Sequence, residues 1–311
     1  MNTLDSLDVT GKRVLVRVDF NVPLDGKTIS DDTRITSALP TIEALTSRGA
    51  RVILASHLGR PKGQADDAFS LRPIADHLAT LVDTQVSFCD ATIGSEAEAA
   101  ASKLKDGEIL VLENTRFLAG ETKNADDVAD GLAALADVYV NDAFGSAHRA
   151  HASTDGVARR VEEKAGGLLL AKEVDYLGQL LGSPAKPFVA ILGGAKVSDK
   201  IGVIRSLMST ADQILIGGAM SYTFLKALGH SVGGSMVEED KLGLAKELYD
   251  EADGRIVLPR DHIAADAFSN DAETQIAQDE IPEGTMALDI GPDTIARYGD
   301  LIRGAKTAVW N

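Results

Sequence analysis

Asp19, Asn21, His57, Arg60, Arg116 and Arg149 each stand at or just past the end of a short apolar run. The runs read RVLVRVDFNVP, ARVILASHLGRP, EILVLENTRF and DVYVNDAFGSAHR. Carboxylate and amide oxygens accept hydrogen bonds from ligand hydroxyls, while guanidinium and imidazole N–H groups donate to phosphate or carboxylate oxygens. Three arginines and a histidine gathered at one place would select a small, highly anionic ligand. Each residue also has a plainer reading. Asp19 and Asn21 precede Pro23, where they would serve a turn. A lone histidine is more often structural, although Arg60 shares the glycine turn SHLGRPKG with His57. Arg116 and Arg149 are not needed in such loops for folding, which favours ligation.

The second half offers a different set. ILGGAKVSDKIGVI reads as strand, glycine pair and helix. Gly193 and Gly194 allow close approach of a ligand to the backbone, and Ser198 or Asp199 is placed to cap the helix, whose N-terminus favours phosphate. Lys196 and Lys200 share a face of any helix formed there, and two such lysines are as often a solvated face. A second pair, Gly217-Gly218, fits tight strand–helix packing and a nucleotide contact equally well. The sequence LDIGP is expected to be a turn. Neither GxxxxGK[ST] nor GxGxxG occurs in these loops.

No Ser/His/Asp triad, paired acid/base carboxylates or His/Cys metal cluster is evident. Phosphoryl transfer needs none of these. It needs positioning, and positive charge against developing negative charge. Two substrates on two domains would allow closure to remove water, and a charge pair at 4 Å rises from ~1 kcal/mol in bulk water to ~4 at an effective dielectric of 20.

The elements that must hold these residues follow from the patterning. Apolar runs of this length between polar turns fit strands buried on both faces. Helical spacing separates them: Ile35, Leu39, Ile42 and Leu45; Leu71, Ile74, Leu78 and Leu81; Val128, Leu132 and Leu135. The fold class is therefore α/β with a parallel sheet, whose ligand sits outside the carboxyl ends of the strands. Gly166 to Leu181 predicts one amphipathic helix with Leu170, Val174, Leu177 and Leu181 in register, ended by GSPAKP. The βα alternation then restarts with FVAILGG, QILIGGA, RIVLP and TAVWN, which places a domain junction at this helix. Pro292 suits the first turn of a further helix.

Composition narrows the function. The chain has 311 residues, 44% hydrophobic and 5% aromatic, with 31 basic against 47 acidic residues and a net charge of −16. Such acidity argues against nucleic acid or anionic membrane as partner, and it makes the arginines at the strand ends stand out. One cysteine, Cys89, excludes an intrachain disulfide, points to a reducing compartment and sits in an apolar context that suits a buried thiol. The N-terminus lacks a signal-peptide core and no apolar stretch is long enough to span a bilayer, so a cytoplasmic protein is expected.

The blocks RVDFNVP, DDTRI, SHLGRP, ENTRF, VNDAFG with SAHRAHAS, GGAKVSDKI, GGAMSYTFLK, LDIGP and VWN occur in an order that strongly resembles the phosphoglycerate kinases. The resemblance implies two doubly wound, Rossmann-like domains joined by a helix at about 166–181: a triose-phosphate domain, 1–168, and an incomplete nucleotide domain, 169–311. It implies ligation of 3-phosphoglycerate or 1,3-bisphosphoglycerate by Asp19, Asn21, Arg34, His57, Arg60, Arg116 and Arg149. It puts Gly193, Gly194, Lys196, Lys200, Gly218, Ala287 and Asn311 near ADP or ATP, which comes with Mg2+; no metal-ligating protein residue is assigned. Arg34 and Lys200 would steady the transferring phosphoryl group, with hinge closure bringing the sites together. A monomer is implied.

Three departures stand out. The family pattern continues past Trp310-Asn311 with further nucleotide contacts, so this length is expected to turn over poorly. Ala287 replaces a common glycine, and Thr115 a common leucine. Two other readings compete: a triose-phosphate-binding fragment without catalysis, and a Rossmann-type NAD oxidoreductase, which would leave the arginines unexplained.

Overall fold

A computed structural model describes residues 2–311. The chain divides between Tyr176 and Leu177 into two compact units. Within the first unit the strands are β1 (Arg13–Arg17), β2 (Arg51–Ala55), β3 (Val86–Cys89), β4 (Ile109–Leu112), β5 (Val138–Asn141) and β6 (Glu163–Gly166). They form one parallel sheet in the order β3-β4-β2-β1-β5-β6.

Alternation of side chains sends each strand's residues to two separate layers. Val14, Val16, Val52 and Leu54 pack on one face against Ile35, Ile42 and Leu45 of α1 (Thr33–Thr46) and Ile74 and Leu78 of α2 (Arg72–Leu81). Leu15, Ile53, Leu110 and Leu112 pack on the other against Ala97 and Ala101 of α3 (Ser95–Lys103) and Val128 and Leu132 of α4 (Asp126–Ala133). That is why the runs are apolar throughout: both faces are covered, and burying each Val, Leu or Ile side chain is worth roughly 1.5–3 kcal/mol. The neighbours of β1 are β2 and β5, reached by crossovers in opposite directions, so the loops after β1 and β5 flank a topological switch point.

The second unit holds β7 (Phe188–Leu192), β8 (Gln213–Ile216), β9 (Ile256–Val257) and β13 (Thr307–Trp310), parallel in the order β9-β8-β7-β13. Phe188, Ala190, Ile214 and Ile216 face the core of three helices, Ile201–Met208, Met220–Ala227 and Leu242–Glu251. Val189 and Leu215 meet Tyr298 of the helix Pro292–Gly304, which has Pro292 in its first turn.

Several expectations change. β3 and β6, only partly buried, are strands that the apolar runs do not mark. An antiparallel sheet of β10 (Asp261–Ala265), β11 (Thr274–Gln278) and β12 (Met286–Ile290) follows the parallel one. Leu288, Asp289 and Ile290 thus end a strand, and the turn begins only at Gly291. The helix at the junction runs Leu168–Leu181. Leu170 is buried, but Val174 and Leu177 are exposed, because past its first turn the helix leaves the first core. The side chain of Leu181 lies outside the described residues. Cys89 is a buried free thiol.

The start of this helix is tied to the sheet. Asp142, fully buried after β5, accepts at Oδ1 from the backbone N–H groups of Leu169 (2.9 Å) and Leu170 (3.1 Å). A Cβ on Gly167 would stand 2.2 Å from that same oxygen, whereas one on Gly178 meets nothing within 4 Å. Gly167→Ala should therefore destabilise the protein by about 1–3 kcal/mol, the range for overpacking a fixed neighbour. Gly178→Ala should stabilise it by about 0.5–1 kcal/mol through helix propensity. Urea midpoints of the two variants, moving in opposite directions from wild type, check this.

Candidate functional site

The loops after β1, β2, β4 and β5 are sewn to one another by backbone-directed hydrogen bonds. The Phe20 N–H donates to Ser56 Oγ (2.8 Å), and Asn21 Oδ1 accepts from the Gly59 N–H (2.8 Å). Asn114 binds both backbone groups of Leu58, accepting from its N–H (3.2 Å) and donating to its carbonyl (2.8 Å). The Thr115 N–H donates to the Ser56 carbonyl, and the Asp142 N–H to the Arg17 carbonyl. Such stitching ties together the loop backbones that carry the candidate side chains.

Arg60, Arg116 and Arg149 line one cavity of about 440 Å³ together with Lys62, Thr122 and Lys123. Arg116 is held by a donation from Nη1 to the Gly59 carbonyl (2.6 Å), while its Nε is buried without a partner. Burial, then the charges of Arg149 and Arg17, work against its positive charge. Guanidinium does not deprotonate, so the crowding persists until an anion relieves it. Arg149 is exposed, and its Nε lies 3.4 Å from His148 Nε2.

A second cavity, about 240 Å³, holds Asp19, Arg34 and Asp142. Arg34, on α1, donates from Nη1 to Asp19 Oδ2 at 2.6 Å, whereas Asp19 Oδ1 is buried without a partner. Gly145 makes room for this pair, since a Cβ there would lie 2.9 Å from Asp19 Oδ2. His57 stands 3.7 Å from Asp19 Oδ1 and is nearly enclosed. Its pKa is pushed down to about 2, first by burial and then by Arg17, Arg116, His151 and Arg34. It is therefore neutral at physiological pH.

The structure thus brings all seven triose-site candidates to the carboxyl ends of neighbouring strands. Sequence reasoning missed the groups beneath them: Arg17, Glu121 and Ser153. Arg17 is 1% exposed and donates from Nε to Ser153 Oγ (2.8 Å). Ser153 Oγ donates in turn to Glu121 Oε1 (2.5 Å), and its N–H to Oε2 (3.0 Å). A charged residue inside the run RVLVRVDF was the signal for Arg17; Glu121 carried none.

In the second unit the loops after β7 and β8 interlock. The Gly217 N–H donates to the Leu192 carbonyl and the Met220 N–H to the Gly194 carbonyl. Gly218 has φ +68°, and a Cβ on it would lie 2.9 Å from both N and O of Gly194. Only glycine fits there. The Gly193 N–H donates to the Asn311 carbonyl (3.0 Å), and Lys200 Nζ donates to Asn311 Oδ1. Gly193, Gly194, Lys200, Gly218 and Asn311 therefore form one cluster. Lys196 is exposed on the loop, apart from any helix. The helix begins at Ile201 with Lys200, not Ser198 or Asp199, at its N-cap. The Ser198 hydroxyl instead donates to Glu238 Oε1 (2.6 Å), which removes it from capping, and the Ser198 N–H donates to Oε2 (3.1 Å). Ala287 lies elsewhere: it is buried in β12, paired with Ala264.

The sequence pattern defining the phosphoglycerate kinases matches residues 4–311. The chain belongs to the phosphoglycerate kinase family. Phosphoglycerate kinase of Salinibacter ruber is 54% identical over 314 residues, covering 99% of this chain and 79% of the relative. That of Anaeromyxobacter dehalogenans is 54% identical over 319 residues, covering 100% and 80%. The solved structure of the Coxiella burnetii enzyme matches with TM-score 0.84 at 38% identity, covering 100% of this chain and 79% of that one. The Pyrococcus horikoshii OT3 structure matches with TM-score 0.86 at 29% identity and 80% coverage of its chain. Both share the two-domain family fold.

Two buried histidines of the first unit bear on stability. His57 and His151 both have pKa values below the ordinary 6.5, chiefly through burial. Above that value both folded and unfolded chains hold them neutral. Below it the unfolded chain takes up protons that the folded one refuses, so stability falls as pH drops. His57 should contribute a slope of up to about 1.4 kcal/mol per pH unit between about pH 6.5 and pH 5, and His151 acts in the same direction. Urea denaturation at several pH values checks this, and a flat profile would contradict a neutral His57.

Proposed function

We propose that the arginine cluster of the first unit binds 3-phosphoglycerate or 1,3-bisphosphoglycerate and that the glycine–lysine cluster of the second binds ADP or ATP. The chain is a glycolytic kinase that transfers a phosphoryl group reversibly between the acyl phosphate of 1,3-bisphosphoglycerate and ADP, giving 3-phosphoglycerate and ATP. What supports the placement is the gathering of Arg34, Arg60, Arg116 and Arg149 with a neutral histidine on one sheet edge of a chain whose net charge is −16.

In the direction that consumes ATP, the nucleophile is the carboxylate of 3-phosphoglycerate. It is anionic already, so no general base is required. The protein must position it and neutralise charge on the equatorial oxygens of the group in flight. Arg60, Arg116 and Arg149 hold the phosphate that does not react, in the cavity they line. Asp19, Asn21 and His57 orient the hydroxyl and carboxylate end. Arg34 and Lys200 donate to the transferring group. Each has a partner to exchange, Asp19 for Arg34 and the Asn311 amide oxygen for Lys200, so neither is left bare between turnovers.

Gly193, Gly194 and Gly218 let backbone approach the nucleotide. On this reading Ala287 supports that site only through the packing of β12. The nucleotide arrives as its Mg2+ complex: among the described residues no group of three or more His, Cys, Asp or Glu side chains could hold the ion alone. The phosphates would carry it, as is usual for this cation. The enzyme works as a cytoplasmic monomer on small molecules, not on nucleic acid or membrane. No described helix is long and apolar enough to cross a bilayer.

Calorimetric titration with 3-phosphoglycerate tests the first site. Saturable binding that weakens with salt is expected, because the site is electrostatic. Arg149→Ala removes an exposed side chain, so stability should hold while the dissociation constant rises roughly 10–100-fold, the value of a charge-assisted hydrogen bond; unchanged affinity would sink the assignment. Lys200→Met should lower kcat by about 10²–10³ with KM for 3-phosphoglycerate nearly unchanged, the signature of a transition-state donor.

A further inference from the structure

We propose that Arg17 is a positioning residue that locks His57 as the neutral tautomer protonated on Nε2, so that the ring offers the triose ligand an N–H donor. The proposal rests on the reading of His57 as a triose ligand. Arg17 Nη2 lies 3.1 Å from His57 Nδ1. A guanidinium has donors only and keeps its proton, so Nδ1 must accept. A neutral imidazole has one N–H, which is then on Nε2. The alternative partner for Nδ1 is Asp19 Oδ1 at 3.7 Å, beyond hydrogen-bond range.

Arg17 has no freedom to release the ring. Nε is bound to Ser153 Oγ, and Nη1 to the Val18 carbonyl. Glu121, fully buried, holds Ser153 by two hydrogen bonds and supplies the negative charge that lets a guanidinium be buried here. The charged and titratable groups around His57 are Arg17 and Asp19 from β1 and its exit, Arg34 from α1, Arg116 from the turn after β4, and His151. Asp19 alone would favour a protonated ring, and it is already paired with Arg34. Protonation would also put two donors, Nδ1–H and Nη2–H, face to face.

His57 Nε2 has no hydrogen-bond partner among the described residues and is not a buried orphan. It is free for a ligand. With its proton on Nε2 the ring selects an acceptor, such as a carboxylate or phosphate oxygen. The opposite tautomer would present a lone pair and repel it. A donor that does not titrate also keeps affinity constant where an ordinary histidine would lose or gain a charge.

The test is long-range ¹H–¹⁵N spectroscopy of histidine-labelled chain, with the His57 signals assigned by their loss in His57→Gln. From about pH 8 to about pH 5, where an ordinary histidine titrates, His57 should keep the shifts of an Nε2–H neutral ring. The Nδ1–H pattern, or a titration midpoint inside that range, overturns the proposal. Adding 3-phosphoglycerate should then move the Nε2 signal. Saturable binding that leaves Nε2 unmoved overturns His57 as a ligand, and the functional half of the proposal with it, even if the tautomer is as described. In Arg17→Met the ring should become titratable and 3-phosphoglycerate affinity should fall roughly tenfold and acquire a pH dependence. Arg17→Lys, which keeps a donor, should restore part of both. A folded Arg17→Met with an unchanged His57 spectrum overturns the role of Arg17, and the wild-type spectrum decides the tautomer if that variant does not fold.

Discussion

Like charges repel, and the first unit gathers its arginines at the edge of a single sheet. Everything around them answers that constraint. Two of these guanidinium groups are held by something other than a salt bridge: Arg17 by Ser153 and the Val18 carbonyl, Arg116 by the Gly59 carbonyl. Carbonyl and hydroxyl oxygens fix a cation's geometry without cancelling its charge. Had carboxylates done this work, the site would be held just as firmly, but it would be electrostatically silent to an anion. Asp19 and Glu121 are the exceptions. Asp19 holds Arg34 by a single hydrogen bond, which a phosphoryl oxygen can replace. Glu121 acts through Ser153, one hydrogen bond removed from Arg17.

The same economy explains the loops. Parallel strands end in register along the sheet edge, and each leaves its last carbonyls and the following N–H groups unpaired. Here those groups bind the neighbouring loop: Phe20 to Ser56, Asn21 to Gly59, Asn114 to Leu58. Backbone satisfaction and site rigidity are therefore one and the same set of contacts. Arg60 and Arg149 remain exposed, with the side-chain freedom to follow a substrate.

What was legible in the sequence divides along physical lines. Strands buried on both faces announce themselves as apolar runs, so β1, β2, β4 and β5 and the residues at their ends were readable. β3 and β6 lie at the sheet edges with partly exposed faces, and β11 has one buried residue in five; such segments have neither a run nor a clean alternation. Long-range partners were illegible for a different reason. Ser198 is a good cap by local rules, but Glu238, forty residues on, takes its hydroxyl. Ala287 matched by sequence position but sits in a packed sheet. Glu121 looked like one acid among forty-seven, and only the fold reveals that it is fully buried.

Asp142 shows how far the site's constraint reaches. Its N–H donates to the carbonyl of Arg17, and its Oδ1 takes the first free N–H groups of the helix Leu168–Leu181. Burial nevertheless holds its carboxyl above the ordinary range, so those donors do not fully offset the loss of water. A carboxylate in that position is favoured by the helix N-terminus and disfavoured by its surroundings. Because Gly167 leaves it no slack, the residue has one place to sit. The strand that carries Arg17 is therefore coupled through a buried carboxylate to the first turn of this helix, which Thr41 Oγ1 also holds by accepting from the Leu168 N–H (2.9 Å). A shift of that turn would strain the contacts of Asp142 and Thr41 together, and through the Asp142 N–H it would reach the backbone of Arg17.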